Sequence, residues 1–446
     1  MKKIFFIGIS GIGMSGLAKI MKMKGYQVAG SDLSRNYVTE ELESLGIKVY
    51  SEHMAENVCG YDTVIASSAI KKDNPEYKYA VEKCVKIIKR GELLAQLLNS
   101  DTGIAIAGTH GKTTTSSMLS AVMLEKDPTI VVGGILPEIG SNAKPGKSEY
   151  FIAEADESDN SFLYMHPKYS VVLNVEADHL ENHGSLENIE RSFNQFMDQT
   201  EREILVCFDC ENVMKIARGR ERITTYSLKN KEADIYCENI VVEMGKTVYD
   251  VYEKGLKIGT FKLSVPGEHN ILNSLPVIYL AKKFGIEEKD IKDKLESFKG
   301  AKRRYDVLYD NDVKIIDDYA HHPTEIKATI QGAKSIENKE ITVIFQPHRY
   351  SRTNFLLEEF KGAFNGVDEV IILPVYSAGE ENIYEITLEK LMKKIEHNKI
   401  SAIEEISELE TKILFEGKER VYIFMGAGDI SKIAHKISEK MKGIRK

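Results

Sequence analysis

Residues 104–115 read Ile-Ala-Ile-Ala-Gly-Thr-His-Gly-Lys-Thr-Thr-Thr. The four small apolar residues predict a buried strand, and the apolar spacing over residues 116–124 predicts a helix. A glycine turn between a strand and a helix that begins with Gly-Lys-Thr is typical of a phosphate site, because backbone N–H groups and the positive helix end face the anion. Lys112 adds a full positive charge, and the Thr113 hydroxyl suits a Mg²⁺ ion. We therefore predict a nucleoside triphosphate site here.

The turn differs from the most common nucleotide-binding loop. That loop is G-x-x-x-x-G-K-[ST], and its first glycine would fall at Ile106. The spacing here is the tighter G-x-x-G-K-T, which indicates a triphosphate site of an uncommon shape. A chance Gly-Lys-Thr at a helix start is the alternative, and the strand and helix on either side disfavour it.

Length, charge and cysteine content restrict the class of protein. A chain of 446 residues is too long for one core, so two or three domains are expected. The net charge of −8 argues against binding to nucleic acid by bulk charge. No apolar run reaches the roughly 20 residues of a membrane helix, and the short apolar N-terminal run predicts a strand rather than a signal peptide. Five cysteines indicate a reducing compartment, and the lone C-x-x-C of Cys207 and Cys210 predicts buried thiols rather than a metal site.

The first part of the chain alternates strand and helix patterns. A strand over residues 3–8 leads into Gly-Ile-Gly-Met-Ser-Gly (11–16), which opens a helix and is followed by a strand ending at Asp32. This is the pattern of a dinucleotide-type fingerprint, with an acid where a ribose hydroxyl would lie. It predicts a bound diphosphate or nucleotide, and a tight turn packed close to the sheet remains the alternative.

Two acidic clusters follow strands in the middle of the chain. They are residues 153–159, Ala-Glu-Ala-Asp-Glu-Ser-Asp, and residues 174–181, Asn-Val-Glu-Ala-Asp-His-Leu-Glu. A triphosphate needs a hard cation, and carboxylates beside the phosphate turn would hold it. A solvated acidic turn is the alternative for either cluster alone. Residues 201–264 are less regular, with short β-like runs such as 247–252.

The last part of the chain predicts an open parallel α/β sheet. Apolar strands are expected at residues 313–316, 341–345, 370–373 and 421–425. Ligands in such sheets gather at the carboxyl ends of the strands. Those ends carry Asp-Asp-Tyr-Ala-His-His (317–322), a loop with Arg349 and Arg352, Tyr376, and Gly-Ala-Gly-Asp (426–429). Two nucleotide-type folds and this third unit together suggest the joining of two substrates at the expense of ATP.

These motifs together resemble those of the Mur ligase family, over essentially the whole chain. The resemblance also rests on His-Asn-Ile-Leu-Asn (269–273), Lys-Arg-Arg-Tyr (302–305), Asp-Asp-Tyr-Ala-His-His-Pro-Thr-Glu (317–325) and Gln-Pro-His-Arg-Tyr-Ser-Arg-Thr (346–353). Within the family, the chain is most similar to the ligases that act on UDP-N-acetylmuramate and L-alanine.

The resemblance implies three α/β domains. They are an N-terminal Rossmann-like domain for the UDP substrate over residues 1–98, a central phosphate-loop ATPase domain over 99–301, and a C-terminal Rossmann-like amino-acid-binding domain over 302–446. It also implies a reaction: the carboxylate of UDP-N-acetylmuramate attacks the γ-phosphate of ATP, and L-alanine displaces phosphate from the acyl phosphate. This is a cytoplasmic step of peptidoglycan synthesis, carried out by a monomer or homodimer on small-molecule substrates, with no nucleic acid or membrane.

The resemblance also assigns residues. The expected catalytic residues are Lys112, His179 and Arg304. The expected ATP site comprises Gly108, Thr109, His110, Gly111, Lys112, Thr113, Thr114, Asn270, Asn273, Arg304 and Asp318. The expected Mg²⁺ ligands are Thr113, Glu154 and His179. The expected substrate contacts are Gly11, Gly13, Gly16, Asp32 and Asn142, with Tyr319, His321, Arg349 and Arg352 near the L-alanine and muramoyl groups.

Three alternatives remain at this point. A sister ligase that attaches a recycled peptide to UDP-N-acetylmuramate would share these sites but need a larger third-domain pocket. An NAD-dependent oxidoreductase would explain residues 11–16 and Asp32, but not the phosphate turn or the acid clusters. A nucleotide-binding regulator without chemistry would show no substrate-dependent ATP turnover.

Overall fold

The computed structural model describes residues 2–67, 69–416 and 419–444. The chain forms two compact units. The first contains Met1–Asp234 and Pro276–Ile286, and the second contains Ile235–Leu275 and Glu287–Lys446. Among the described residues, no helix combines the length and apolar character needed to cross a membrane. All five cysteines are free thiols.

The first unit begins with a parallel sheet in the order β3-β2-β1-β4-β5. The central strand β1 is apolar and almost wholly buried, which suits a sheet covered on both faces. The three residues of β3 are too few to show a strand pattern, and sequence analysis missed them. The strands are β1 (Lys3–Ile7), β2 (Gln27–Ser31), β3 (Lys48–Tyr50), β4 (Thr63–Ala66) and β5 (Lys86–Lys89), and the helices are α1 (Ile12–Met23), α2 (Tyr37–Ser44), α3 (Pro75–Glu82) and α4 (Arg90–Asn99).

The same unit contains a second sheet, in the order β12-β11-β10-β6-β9-β7-β8. Every residue of β6 is buried, as its run of small apolar residues predicts. The pairs from β12 to β7 are parallel, and β8 pairs antiparallel with β7. The strands are β6 (Thr102–Ala107), β7 (Thr129–Leu136), β8 (Ser141–Lys144), β9 (Tyr150–Ala155), β10 (Tyr169–Val172), β11 (Glu203–Cys207) and β12 (Ile223–Ser227), and the helices are α5 (Lys112–Met123), α6 (Leu180–His183), α7 (Leu186–Asp198) and α8 (Glu211–Ala217).

The second unit begins with an antiparallel meander, β13 (Ile235–Glu243), β14 (Lys246–Glu253) and β15 (Leu256–Leu263). These strands are longer and more regular than residues 201–264 suggested from sequence. The register shifts between Glu238 and Val241 and again between Val251 and Tyr252, so apolar alternation does not run unbroken along the strands. Two helices follow along the chain: α9 (Glu268–Lys283), whose residues from Pro276 onward belong to the first unit, and α10 (Glu288–Ser297), which belongs to the second.

A third sheet completes the second unit, in the order β16-β17-β21-β18-β19-β20. The four expected strands are present and pair in parallel, which confirms the predicted open parallel sheet. Strand β20 extends the parallel pairing, and an edge strand that was not predicted, β16, pairs antiparallel with β17. Buried apolar clusters lie on both faces of this sheet. The strands are β16 (Asp306–Asp310), β17 (Lys314–Asp318), β18 (Glu340–Phe345), β19 (Glu369–Ile372), β20 (Ile400–Ala402) and β21 (Arg420–Met425), and the helices are α11 (Pro323–Ile336), α12 (Tyr350–Phe355), α13 (Leu388–Lys394), α14 (Ile406–Thr411) and α15 (Ile430–Ile444).

Candidate active site

The glycine turn after β6 is held in shape by the neighbouring strand. Gly111 has a φ of +86°, a left-handed conformation that favours glycine, and α5 begins at the next residue. The backbone N–H of His110 donates to Asn174 Oδ1 at 2.7 Å, and Asn174 Nδ2 donates back to the His110 carbonyl at 3.0 Å. Asn174 follows β10, so a single side chain fixes the turn from the adjacent strand. The turn is thus preorganised to present its amides to an anion.

Lys112 is the first residue of α5, and its ammonium group is paired with a buried carboxylate. Nζ donates to the carbonyls of Gly108 and Thr109 and lies 2.9 Å and 2.8 Å from the two oxygens of Glu157. Burial works to lower the pKa of Lys112, but the carboxylates of Glu157, Asp156 and Glu154 outweigh it and raise the pKa. Lys112 is therefore charged at neutral pH, as a phosphate-binding lysine must be.

Glu154, at the end of β9, accepts hydrogen bonds from two hydroxyl groups and one backbone N–H. Its oxygens accept from Thr113 Oγ1 at 3.2 Å, from Ser116 Oγ at 3.0 Å and from the backbone N–H of Gly133. Ser116 was missed from sequence, although it lies three residues after Thr113 and therefore on the same helix face. A carboxylate and two hydroxyls within hydrogen-bonding distance form an oxygen-rich set that suits Mg²⁺.

The second acidic cluster is tied to the first by the short helix α6. His179 immediately precedes this helix with a φ of +53°, and its N–H donates to Asp178 Oδ1 at 2.7 Å. Asn182 Nδ2 donates to the Ser158 carbonyl at 2.9 Å, and His183 Nε2 lies 2.9 Å from the Glu157 carbonyl oxygen. The structure thus joins the two acid clusters beside the phosphate turn.

The expected sugar-nucleotide residues surround the turn between β1 and α1. Both carboxylate oxygens of Asp32 accept hydrogen bonds from backbone N–H groups, one from Ser10 and one from Ser34, at 3.0 Å each. Asn142, which is 7% exposed, donates to the Ile12 carbonyl at 3.3 Å and so links β8 to the first turn of α1. Asp32 and Asn142 therefore shape the turn, and their contact with substrate stays a prediction.

Gly11 immediately precedes α1 and Gly16 lies within it, and their different surroundings make a pair of substitutions informative. A Cβ on Gly16 would lie 2.5 Å from Ala143 Cβ, whereas a Cβ on Gly11 would meet nothing closer than 3.5 Å. We expect Gly16→Ala to destabilise the protein by about 1–3 kcal/mol through overpacking. We expect Gly11→Ala to leave the melting temperature nearly unchanged and to raise KM for the sugar nucleotide several-fold, because the methyl group would face a bound diphosphate.

Thermal unfolding and initial-rate kinetics on both variants would check this pair of expectations. A Gly11→Ala variant with a normal KM for every substrate would show that the turn does not hold the diphosphate.

In the second unit, Asp318 lies at the end of β17 and is 5% exposed. Its carboxylate accepts from the backbone N–H of Tyr305 and of Ala320, both at 2.8 Å. Burial raises the pKa of Asp318 to about 6, although Arg304 and the two backbone donors act in the opposite direction. The Asp318 side chain therefore holds the backbone at Tyr305 and Ala320 in place. Its expected contact with the nucleotide stays a prediction.

A row of aromatic rings crosses the carboxyl ends of β17, β18 and β19. Centroid distances are 5.4 Å for Tyr319 to His321, 6.2 Å for His321 to His348 and 5.6 Å for His348 to Tyr376. The sequence placed Tyr376 and the loop that contains His348 at these strand ends, but it assigned neither residue a role in the site. Burial, with help from Arg352 and Arg349, lowers the pKa of His348 to about 4, so its imidazole is neutral at pH 7.

The two expected arginines of this region follow β18. Arg349 has a φ of +64°, and its N–H donates to the Tyr376 carbonyl at 2.8 Å. Arg352 lies in α12 and is 8% exposed. A buried or strongly held guanidinium suits a carboxylate ligand, because it is always charged and donates in a fork.

Asn270 and Asn273 lie in the first turns of α9, and both are buried, at 7% and 8% exposure. Asn270 Nδ2 donates to the Pro266 carbonyl at 2.6 Å. The neighbouring His269 is half-buried, and burial together with Arg304 lowers its pKa to about 4.

The lowered pKa of His269 predicts a pH dependence of stability. Its folded pKa of about 4 lies below the ordinary 6.5, so the neutral form stabilises the fold. That contribution to the free energy of unfolding is present above pH 6.5 and is lost as pH falls towards 4. The loss reaches about 2 kcal/mol at pH 5. We expect His269→Gln to lose less stability than the wild type between pH 7.5 and pH 5, measured by denaturant unfolding. Parallel losses in both proteins would contradict the assignment.

Three family models match the chain in order. The model described as Mur ligase family, catalytic domain, matches residues 3–102, the Mur ligase middle domain matches 106–281, and the Mur ligase, glutamate ligase domain, matches 303–428. These matches confirm the predicted architecture of three α/β domains.

Similar proteins span the full chain. A UDP-N-acetylmuramate--L-alanine ligase of Fusobacterium nucleatum is 58% identical over 100% of this chain and 98% of the relative's length. One of the same name from Hydrogenobaculum is 41% identical and covers 98% of each chain. The crystal structure of UDP-N-acetylmuramate-alanine ligase from Thermotoga maritima superposes with a TM-score of 0.82 at 31% identity, covering 100% of both chains.

Proposed function

The chain belongs to the Mur ligase family, and we propose on this premise that it joins L-alanine to the carboxylate of UDP-N-acetylmuramate at the expense of ATP. The observation that carries this proposal is the full-length similarity to relatives named for this reaction. The enzyme is an ATP-dependent ligase that forms an amide bond in peptidoglycan synthesis. We further propose that it works in the cytoplasm, which agrees with its five free thiols.

The chemistry requires positive charge at fixed positions. A substrate carboxylate must approach the γ-phosphate of ATP, and both partners are anions, so prearranged cations lower the barrier. Lys112 is charged, has 16% of its side chain exposed and is anchored by Glu157, which suits a contact with the β- and γ-phosphates. Arg304 is proposed to contact the γ-phosphate. Attack of the carboxylate on the γ-phosphorus releases ADP and forms an acyl phosphate. The amine of L-alanine then attacks the carbonyl carbon of the acyl phosphate, phosphate leaves, and an amide remains.

The oxygen-rich set at the end of β9 fits a magnesium ion. Thr113 and Glu154 would hold one ion, and His179 would help to hold a second. A bound Mg²⁺ would neutralise charge on the phosphate oxygens. Ser116 and the Gly133 N–H hold the Glu154 carboxylate in place, so the ligand geometry is set by the protein chain itself.

The remaining expected residues are assigned to the other substrates. Gly11, Gly13, Gly16 and Asp32 would hold the UDP part, and Asn142 would support the turn that contacts it. Asn270 and Asn273 would face the adenine side of ATP, with Gly108, Thr109, His110, Gly111 and Thr114 around the phosphates and Asp318 near the nucleotide. Tyr319, His321, Arg349 and Arg352 would hold L-alanine and the muramoyl carboxylate. The domain boundaries at residues 98 and 301, and a monomeric or homodimeric state, also stay proposals.

The peptide-recycling ligase is the second candidate function, because it would use the same sugar nucleotide and the same phosphate site. The 58% identity over the full chain to a relative named as an L-alanine ligase favours L-alanine over a peptide as the second substrate. An NAD-dependent oxidoreductase is not favoured, because the glycine turn at residues 11–16 lies within the match to a Mur ligase domain.

The deciding experiment measures phosphate release from ATP in the presence of UDP-N-acetylmuramate. L-Alanine is compared with the other amino acids and with a short muropeptide. Release that requires both the sugar nucleotide and L-alanine would support the proposal. Release only with the peptide would move the chain to the recycling ligase, and release with neither would overturn both.

A further inference from the structure

Residues 303–305 have an unusual backbone. Arg303 has a φ of +64° and Tyr305 a φ of +52°, and both are bulky L-residues in the left-handed region. Each such residue costs of the order of 1 kcal/mol or more and persists only where surrounding contacts hold it. The side chain of Arg304, the proposed γ-phosphate contact, therefore depends on whatever holds its two neighbours.

A closed set of hydrogen bonds holds this segment against the ends of β17 and β21. The Tyr305 N–H donates to Asp318 Oδ2 at 2.8 Å, and the Tyr319 N–H donates to the Arg303 carbonyl at 2.8 Å. The Gly426 N–H donates to the Asp318 carbonyl at 3.1 Å. The backbone of the segment is thus connected to both strands.

The Arg303 side chain completes this set. Its Nη2 donates to the Gly426 carbonyl at 2.7 Å and to the Gly428 carbonyl at 3.3 Å. Its Nε lies 3.8 Å from the buried carboxylate of Asp317. A lysine side chain has only one nitrogen, so it could not reach the Asp317 carboxylate and the two carbonyls at once, as Nε and Nη2 of Arg303 do.

The two arginines share the ring of Tyr319 but are held differently. The guanidinium carbons of Arg303 and Arg304 lie 4.7 Å and 5.1 Å from the ring centroid. Arg303 is bonded to two backbone carbonyls, whereas Arg304 has a 3.6 Å ion pair with Glu325 at 26% side-chain exposure. Arg303 has the contacts of an anchor, and Arg304 those of a group that can exchange its partner.

We propose that Arg303 is a positioning residue, which fixes the backbone of residues 303–305 and the Tyr319 ring so that Arg304 is aimed at its phosphate. This inference rests on the proposed function, since it acts through Arg304. Misplacement of a reacting group by about 1 Å can lower the rate by about 100-fold. The proposal therefore predicts a loss in kcat without a matching loss in the binding of UDP-N-acetylmuramate.

The test is a double-mutant cycle with Arg303→Met and Arg304→Lys, following kcat and each KM. We expect Arg303→Met alone to lower kcat by about 30-fold and Arg304→Lys alone by about 100-fold, within the range for positioning and charge-stabilising groups. KM for UDP-N-acetylmuramate should stay within about 2-fold of wild type. The double variant should be no more than about 3-fold below Arg304→Lys alone, because Arg303 then has nothing left to position.

Arg303→Lys gives a second cycle if Arg303→Met folds poorly. It keeps the positive charge near Tyr319 but cannot contact the Asp317 carboxylate and the two carbonyls through separate nitrogens, so its kcat should lie between those of Arg303→Met and wild type. Independent effects, which would multiply to about a 3000-fold loss in the double variant, would overturn the positioning role. A rise in KM for UDP-N-acetylmuramate with normal kcat would also overturn it.

Arg420 offers a matched control for general stability. It is the first residue of β21, at the opposite end of the strand from Gly426, and its Nη1 donates to Glu369 at 2.6 Å. Arg420→Met should lower the melting temperature and leave the kcat of the folded enzyme within about 2-fold. Wild-type turnover is measured first: failure to release phosphate with L-alanine would overturn the proposed function, whereas an active wild type with an additive cycle would overturn the role of Arg303 alone.

Discussion

Replacement of Lys112 by methionine should lower kcat by about 1000-fold or more, because it removes a cation proposed to offset the negative charge on the β- and γ-phosphates. The structure adds a complication, since Lys112 also neutralises Glu157, which is 3% exposed. Loss of one partner from a buried ion pair commonly destabilises a protein by about 3–5 kcal/mol. Lys112→Met should therefore lose both activity and stability.

A double variant separates the two effects. Lys112→Met with Glu157→Gln removes the unpaired buried charge, so its melting temperature should return towards the wild-type value while kcat stays at the level of Lys112→Met. Lys283→Met is a suitable control, because it removes an ion pair to Glu203 at the start of β11, two strands from β6 and at the opposite strand ends from the turn that follows β6. Near-normal activity of the double variant would show that the triphosphate site is wrongly placed.

Glu154→Gln should lower kcat by about 100- to 1000-fold and raise the Mg²⁺ concentration that gives half-maximal activity. The amide keeps the size of the side chain and an oxygen that can accept from Thr113 and Gly133, but it lacks the charge that a divalent ion requires. A magnesium titration of initial rates, at saturating ATP, measures both effects.

The residue before the same strand provides the control for Glu154. Glu149 precedes β9, and its Oε2 accepts from Thr102 Oγ1 at 2.8 Å, so it too is a carboxylate held by a threonine hydroxyl. Glu149→Gln should leave the magnesium titration unchanged. If Glu154→Gln gave the same curve as Glu149→Gln, the ion would have to be held elsewhere.

Several features could be read from the sequence because neighbouring residues carry them. The phosphate turn depends on a glycine, a lysine and a threonine that are adjacent in the chain. The strands β6, β18 and β21 are continuous apolar runs, which a sheet covered on both faces requires. The edge strand β16 and the three-residue β3 were missed, since short strands leave little periodic signal.

The sequence by itself determined the class of each domain and the position of the phosphate turn, because local spacing encodes strands, helices and turns. Only the tertiary structure decided which distant residues complete the site. Asn174 bonds to His110, 64 residues earlier in the chain, and the Gly426 carbonyl accepts from Arg303, 123 residues earlier. Ala143 lies where a side chain on Gly16 would have to be. These contacts depend on the order of the strands in a sheet, and that order cannot be predicted from the pattern of neighbouring residues.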